Sequence, residues 1–210
     1  MNVNRPPFAS PVICIDNFLP EEDARKVLQE CIDLKKVYMP AMIFDGPTAT
    51  RKDAQYRVNE VVGLDEVFRG APERSDILSV IKGKIWTEEC RNLWHEGDYI
   101  FDVINYSTFQ EAVISRYGNC GFYKKHQDTR WDHITYRLVT LVYYVNQLPE
   151  RFTGGSLLLW KGDECLRIDP KHNRALIFPS FTLHEVERTC MDGDKWEDGR
   201  FSVNYWFGFK

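Results

Sequence analysis

From residue 101 to its end the chain is a succession of short runs rich in β-branched and aromatic residues, each stopped by turn formers. That texture commits this half to an all-β sandwich or barrel, because runs of four to ten residues cannot sustain helical stripes but can alternate across a sheet. Strands are predicted at about 101–106, 111–117, 121–127, 137–146, 156–161, 165–168, 174–178, 182–188 and 200–208, with Gly154–Gly155 and the stretch DGDKWEDG at 192–199 as the clearest breaks. The first hundred residues read differently. Pro20 can open a helix through EEDARKVLQECIDL, where Val27, Leu28, Cys31, Ile32 and Leu34 form an apolar stripe and the acids suit the first turn. Ser75 can cap a second helix that buries Ile77, Leu78, Ile81, Ile85 and Leu93 and stops at Gly97. The stretch 39–70 is polar and mixed and reads as loop. The expected fold class is therefore α+β: one domain over 1–210, in which 1–100 is mainly helical support and 101–210 is a jelly-roll, or double-stranded β-helix, core.

Charge narrows the partners. Lys and Arg number 27 against 31 Asp and Glu, a net charge of -4, so no global basic field draws this chain to nucleic acid or to an anionic membrane. The six cysteines show no CxxC or CxxxC spacing, which excludes zinc-ribbon and thioredoxin-type chemistry and leaves reduced, mostly buried thiols. There is no signal-like N-terminus and no apolar run of membrane-spanning length, so a cytoplasmic location is expected.

His126 and Asp128 form an HxD at the end of an extended run, where a period of two puts both side chains on one face. His184, in the later run TLHEVER, offers a third ligand from a facing strand. Two imidazoles and one carboxylate on one side of a metal leave open positions suited to non-haem Fe(II) and oxygen, although zinc hydrolases use the same set. Arg200 opens RFSVNYWFGF, in which Arg200, Ser202, Asn204 and Trp206 share one face and Phe201, Val203, Tyr205 and Phe207 the other. A guanidinium facing inward needs an anion, and its planar fork matches a carboxylate. Tyr144, in RLVTLVYYVN, can add a hydroxyl to the same anion.

Taken together, RYGNCGFYKKHQD, RLVTLVYYVN, FTGGSLLLW, LHEVER and GRFSVNYWF resemble, in order and spacing over about 115–208, the 2-oxoglutarate and Fe(II)-dependent dioxygenases of the prolyl 4-hydroxylase-like branch. The resemblance implies iron held by His126, Asp128 and His184, and the distal carboxylate of 2-oxoglutarate held by Arg200 and Tyr144, with Asn204 lining the pocket. Three departures refine it. Collagen-type prolyl hydroxylases use a lysine where Arg200 stands. Nucleic-acid demethylases carry a second arginine six positions on, where this chain has Trp206. Halogenating members have a small residue in place of Asp128.

What the resemblance implies is hydroxylation of an unactivated C–H, on a prolyl or other residue of a peptide or protein, with O2 as cosubstrate and 2-oxoglutarate decarboxylated to succinate and CO2. A free amino acid or small natural product is the alternative substrate, and a non-catalytic cupin-like binding module the alternative class. Arg130 and Trp131, which follow the HxD, and Trp196, in the segment 189–199, are expected to contact substrate, the last as part of a mobile lid. His95, His133 and His172 read as structural.

Overall fold

The computed structural model describes residues 1–44, 50–96, 98–129 and 136–210. Two antiparallel sheets face each other. The major sheet has the order Asn2–Asn4, Ile13–Asp16, Arg174–Pro179, Arg137–Val145, Arg200–Gly208, Phe109–Tyr117, Glu60–Gly63 and Met39–Pro40. The minor sheet runs Glu164–Ile168, Leu157–Lys161, Leu183–Val186, Phe122–His126 and Arg57–Val58. This is the double-stranded β-helix with helical backing that the strand texture of the second half implies.

Alternation in the central strands separates two cores. Val139, Leu141, Tyr143, Val145, Phe201, Val203, Tyr205 and Phe207 point away from the minor sheet, into a cluster with Ala24, Val27 and Cys31 of helix Glu21–Asp33 and Ile77, Ile81 and Ile85 of helix Asp76–Ile85. Val142 and Tyr144 point the other way and meet Leu157, Leu159, Phe178 and Val186 between the sheets. Because side chains alternate strictly, one residue of slip would exchange these two faces.

Several elements differ from expectation, each for a local reason. The run 101–106 is helical, a 3-10 turn Tyr99–Asp102 followed by Val103–Tyr106. The Asp98 side chain accepts the Ile100 N–H, and Phe101 and Ile104 bury together at helical spacing. The second predicted helix is two, Asp76–Ile85 and Glu88–His95. Ser75 caps the first as expected, but Thr87 accepts the Cys90 N–H and starts a new helix. The stretch 39–70 is not plain loop. It holds the strands Met39–Pro40, Ile43–Phe44, Thr50–Arg51, Arg57–Val58 and Glu60–Gly63 and a helical turn Leu64–Val67, most of them too short to show a period. The N-terminal strands Asn2–Asn4 and Ile13–Asp16, also unexpected, extend the major sheet beside Arg174–Pro179. Cysteine burial is lower than expected: Cys14, Cys31 and Cys90 are buried, whereas Cys120, Cys165 and Cys190 are exposed.

Candidate active site

His126 and His184 are cross-strand neighbours in the minor sheet, so the register sets their rings side by side with centroids 4.1 Å apart. Asp128 lies just past the strand, where its N–H donates to the Ser180 carbonyl. One ligand atom from each of the three lies within 4.8 Å of the others. Each imidazole donates Nδ1–H to a backbone carbonyl, His126 to Lys124 and His184 to Thr182, both at 2.8 Å. That choice of tautomer leaves each Nε2 lone pair facing inward. The two Nε2 atoms stand 3.8 and 3.7 Å from the Asp128 oxygens, too far to hydrogen-bond and wide enough to admit an ion. Burial, with His184 alongside, pushes His126 well below its ordinary value, so the ring is neutral and ready to ligate. Burial opposes ionisation of Asp128, but His184, His126 and Arg137 outweigh it and keep the carboxylate below its usual range. The Thr140 hydroxyl donates to Asp128 Oδ2 at 2.9 Å and fixes its rotation. Two imidazoles and a carboxylate, each oriented by a second hydrogen bond, fit a divalent transition metal.

Deeper between the sheets lies Arg200, 1% exposed and directly across from Tyr117 in the major sheet. Its Nε donates to the Gly155 carbonyl at 2.9 Å and Nη1 to Ser202 at 3.3 Å. Its guanidinium carbon lies 4.7 Å from the Tyr117 ring centroid and 4.9 Å from that of Tyr144. Gly155 is required here: its φ is +68°, and a Cβ would come within 3.0 Å of the arginine Cδ. Among the described residues no carboxylate pairs with this buried cation. The hydroxyl of Tyr144 is also buried, with no hydrogen-bond partner among the described residues, and burial pushes that phenol up to about 12, so it stays a neutral donor. A buried cation that lines the cavity, with an unsatisfied phenol on a ring packed against it, fits the distal carboxylate of a dicarboxylate. Asn204 lines the same cavity and donates to Ser115 Oγ at 2.8 Å.

The metal-ligand trio and Arg200 open into one cavity of about 630 Å³. Residues 112–208 match the family described as the 2OG-Fe(II) oxygenase superfamily. That match spans the strand-rich half of the chain, which holds His126, Asp128, Tyr144, His184, Arg200 and Asn204. An uncharacterized PKHD-type hydroxylase of Synechocystis is 27% identical over 207 residues, which cover 91% of this chain and 61% of that protein, so this chain spans less than two thirds of its relative. A Pseudomonas putida prolyl-4-hydroxylase superposes with a TM-score of 0.65 at 19% identity, over 96% of this chain and 94% of that one. A prolyl hydroxylase from Trichoplax adhaerens, solved with a hypoxia inducible factor peptide, gives 0.64 at 20% identity, over 94% and 83%.

The fold thus gathers His126, Asp128, His184, Arg200, Tyr144 and Asn204, but not Trp196. That indole packs edge-on against Tyr38 and Phe201, on the helix-facing side of the major sheet, and donates to Glu60. It cannot close over the cavity, because Phe201 and Arg200 are consecutive and face opposite ways. The segment 189–199 is likewise no free loop: Thr189–Met191 pairs with Phe152–Gly154, and Trp196–Asp198 forms a 3-10 turn. Arg130, Trp131 and His133 lie outside the described residues. His95 meets Asp102, and His172 accepts the Asn146 N–H, in keeping with structural roles.

Sequence reasoning missed the mouth of the cavity. Met42, Ile43, Tyr56 and Arg57 come from the stretch read as loop. Tyr123, stacked on His126 at 3.5 Å between centroids, sits three residues from the HxD and was visible only as part of a motif.

Proposed function

We propose that this protein is a 2-oxoglutarate- and Fe(II)-dependent hydroxylase acting on an unactivated C–H bond of a prolyl or other residue in a peptide or protein. The observation that carries the reading is one cavity joining the His126, Asp128 and His184 trio to a buried Arg200 that has no carboxylate partner among the described residues. His126, Asp128 and His184 would hold Fe(II), and Arg200 with Tyr144 would hold the distal carboxylate of 2-oxoglutarate. Bound Fe(II) supplies the coupling of 2-oxoglutarate decarboxylation, to succinate and CO2, with oxidation of a C–H bond by O2. The chain's own part is orientation and exclusion of water. Thr140 keeps Asp128 in one rotamer, the carbonyls of Lys124 and Thr182 hold the imidazole tautomers, and Val142, Leu157 and Val186 supply apolar wall to the inner cavity.

Neither a zinc hydrolase nor a cupin-like binding module needs the Arg200 and Tyr144 clamp, which weighs against both. A peptide substrate is supported by the prolyl hydroxylases of like fold, one of them solved with a peptide. Free thiols at all six cysteines support a reducing compartment, and a cytoplasmic location is part of the proposal. Among the described residues no helix is long and apolar enough to cross a membrane.

Anaerobic titration with Fe(II) and 2-oxoglutarate tests the reading: a weak visible charge-transfer band is expected only when both are present. Mass spectrometry of candidate peptides and metabolites then seeks gain of one oxygen atom that depends on both. Absence of the band overturns the proposal, and oxygen gained by free amino acids but by no peptide would reassign the substrate.

A further inference from the structure

We propose that Arg57 selects a substrate carrying a carboxylate close to the oxidised carbon and holds that carboxylate at the mouth of the cavity. The inference rests on the hydroxylase reading and adds to it a substrate class. It starts from the charges that line the cavity. His126, Asp128 and His184 form the proposed metal centre, and Arg200 sits at the buried end. Arg137 is neutralised by Glu111 through two nitrogens at 2.6 to 3.0 Å and lies over the Trp206 ring. Arg57 is different: no carboxylate meets it among the described residues.

Its guanidinium is nevertheless held in place. Nε donates to Asn59 Oδ1 at 2.6 Å, Nη1 to the Met42 carbonyl at 3.3 Å, and the guanidinium carbon lies 4.3 Å from the Tyr123 ring centroid. Both acceptors are neutral, so the full positive charge remains, and Nη2 has no acceptor among the described residues. Fixing the cation this way removes most of the entropy a flexible arginine loses on binding, as expected of a preorganised anion site. Tyr123 in turn stacks on His126 with an interplanar angle of 19°. One aromatic ring therefore separates the guanidinium from a proposed iron ligand, and a carboxylate on Arg57 would lie within a residue or two of the carbon presented to the metal.

The surroundings describe the rest of such a substrate. Met42 and Leu183 line the cavity and are 44% and 38% exposed, which gives the mouth an apolar rim. Arg57 also lines a second cleft of about 510 Å³ with Asn59, Gly121 and Met191, so a chain leaving the mouth would pass the guanidinium into a further groove. A single fixed fork with an apolar rim suits one carboxylate on an otherwise apolar body. That carboxylate can belong to an Asp or Glu side chain of a peptide or to the α-carboxylate of a free amino acid.

The test uses the full chain loaded anaerobically with Fe(II) and 2-oxoglutarate, with loading verified by the charge-transfer band. Capped proline peptides carrying Glu one or two residues to either side are compared with their Gln counterparts, and N-acetylproline with its amide, by tryptophan fluorescence titration and, after oxygen is admitted, by oxygen incorporation. Wild type should prefer at least one acid over its amide by about 10-fold. The preference should fall to about one in Arg57→Gln and be partly restored in Arg57→Lys. Because it is a ratio within each protein, a reduced fraction of active enzyme does not move it, and measurable binding of the amide shows that the variant is folded. A preference confined to N-acetylproline assigns the site to an α-carboxylate, and one confined to the peptides assigns it to a side chain. Equal binding of every pair, no binding of any acid, or a preference that survives in Arg57→Gln overturns the proposal. Absence of the charge-transfer band instead defeats the hydroxylase reading on which it rests.

Discussion

The two faces of strand Arg200–Gly208 are built from neighbouring residues and obey opposite rules. On the helix side, Phe201, Val203, Tyr205 and Phe207 are buried in a continuous apolar cluster, where every lost methylene is felt. On the cavity side, Arg200, Ser202, Asn204 and Trp206 bury polar groups that the protein alone only partly satisfies. The contrast teaches which face serves stability and which serves binding. A fold does not leave a guanidinium 1% exposed with no carboxylate beside it among the described residues unless a ligand completes the site.

The largest expected effects come from the cavity side and leave the fold alone. His126→Ala, Asp128→Ala or His184→Ala should each abolish Fe(II)-dependent succinate formation while circular dichroism stays native, since each opens a ligand position without touching the helix-side core. Near-normal turnover in any of them would remove that residue from the ligand set. On the other face, Phe201→Ala should cost about 3–5 kcal/mol of stability in urea unfolding, the range for a fully buried aromatic. A smaller loss than that of Arg200→Ala would erase the distinction between the faces.

Arg200→Ala should raise the Kd for 2-oxoglutarate at least about 30-fold, from about 2–5 kcal/mol for truncating a buried, charge-assisted contact, with Arg200→Lys intermediate. An unchanged Kd in calorimetry would mean that another cation holds the cosubstrate. Tyr144→Phe should be milder, about 5-fold for one hydrogen bond near 1 kcal/mol, with no loss of ligand-free stability because the hydroxyl it removes has no partner.

The smallest effect lies at the sheet margin, remote from both faces. Asp16 accepts from Arg174 at 2.6 and 3.1 Å and from Lys171 at 3.1 Å, and the Arg174 hydrogen bond holds its carboxyl below the usual range. A carboxylate depressed in the folded state stabilises it fully above the unfolded value and loses that contribution as pH falls through the folded one. Asp16→Asn should therefore cost about 1 kcal/mol or less near neutrality and nothing at strongly acid pH, as read from unfolding midpoints across that range.

Much of the cavity side was legible because it depends on local alternation. His126 with Asp128, and Arg200 with Asn204, are separated by even steps along extended chain, and the period of two assigns them to one face before any partner strand is known. The helix-side residues of Arg200–Gly208 follow from the same period. Trp196 was misread because glycines and acids around it suggested a free loop, whereas Tyr38, Glu60 and Phe201, distant in sequence, draw its indole to the outer face. Run 101–106 was misread because its apolar residues suit either period, and the Asp98 cap decided between them.

By itself, then, the amino-acid order determined the β-rich second half, the helix over Glu21–Asp33, the ligand types and the inward arginine, all of which are properties of periodicity and side-chain chemistry within a single segment. Only the tertiary structure decided that His184 pairs across from His126, that Tyr144 is left without a partner beside Arg200, and that Met42 and Arg57 form the mouth. Those outcomes depend on which strands become neighbours. A two-residue strand such as Arg57–Val58 has no period to read, and is held in place by Phe122 and Tyr123, more than sixty positions away along the chain.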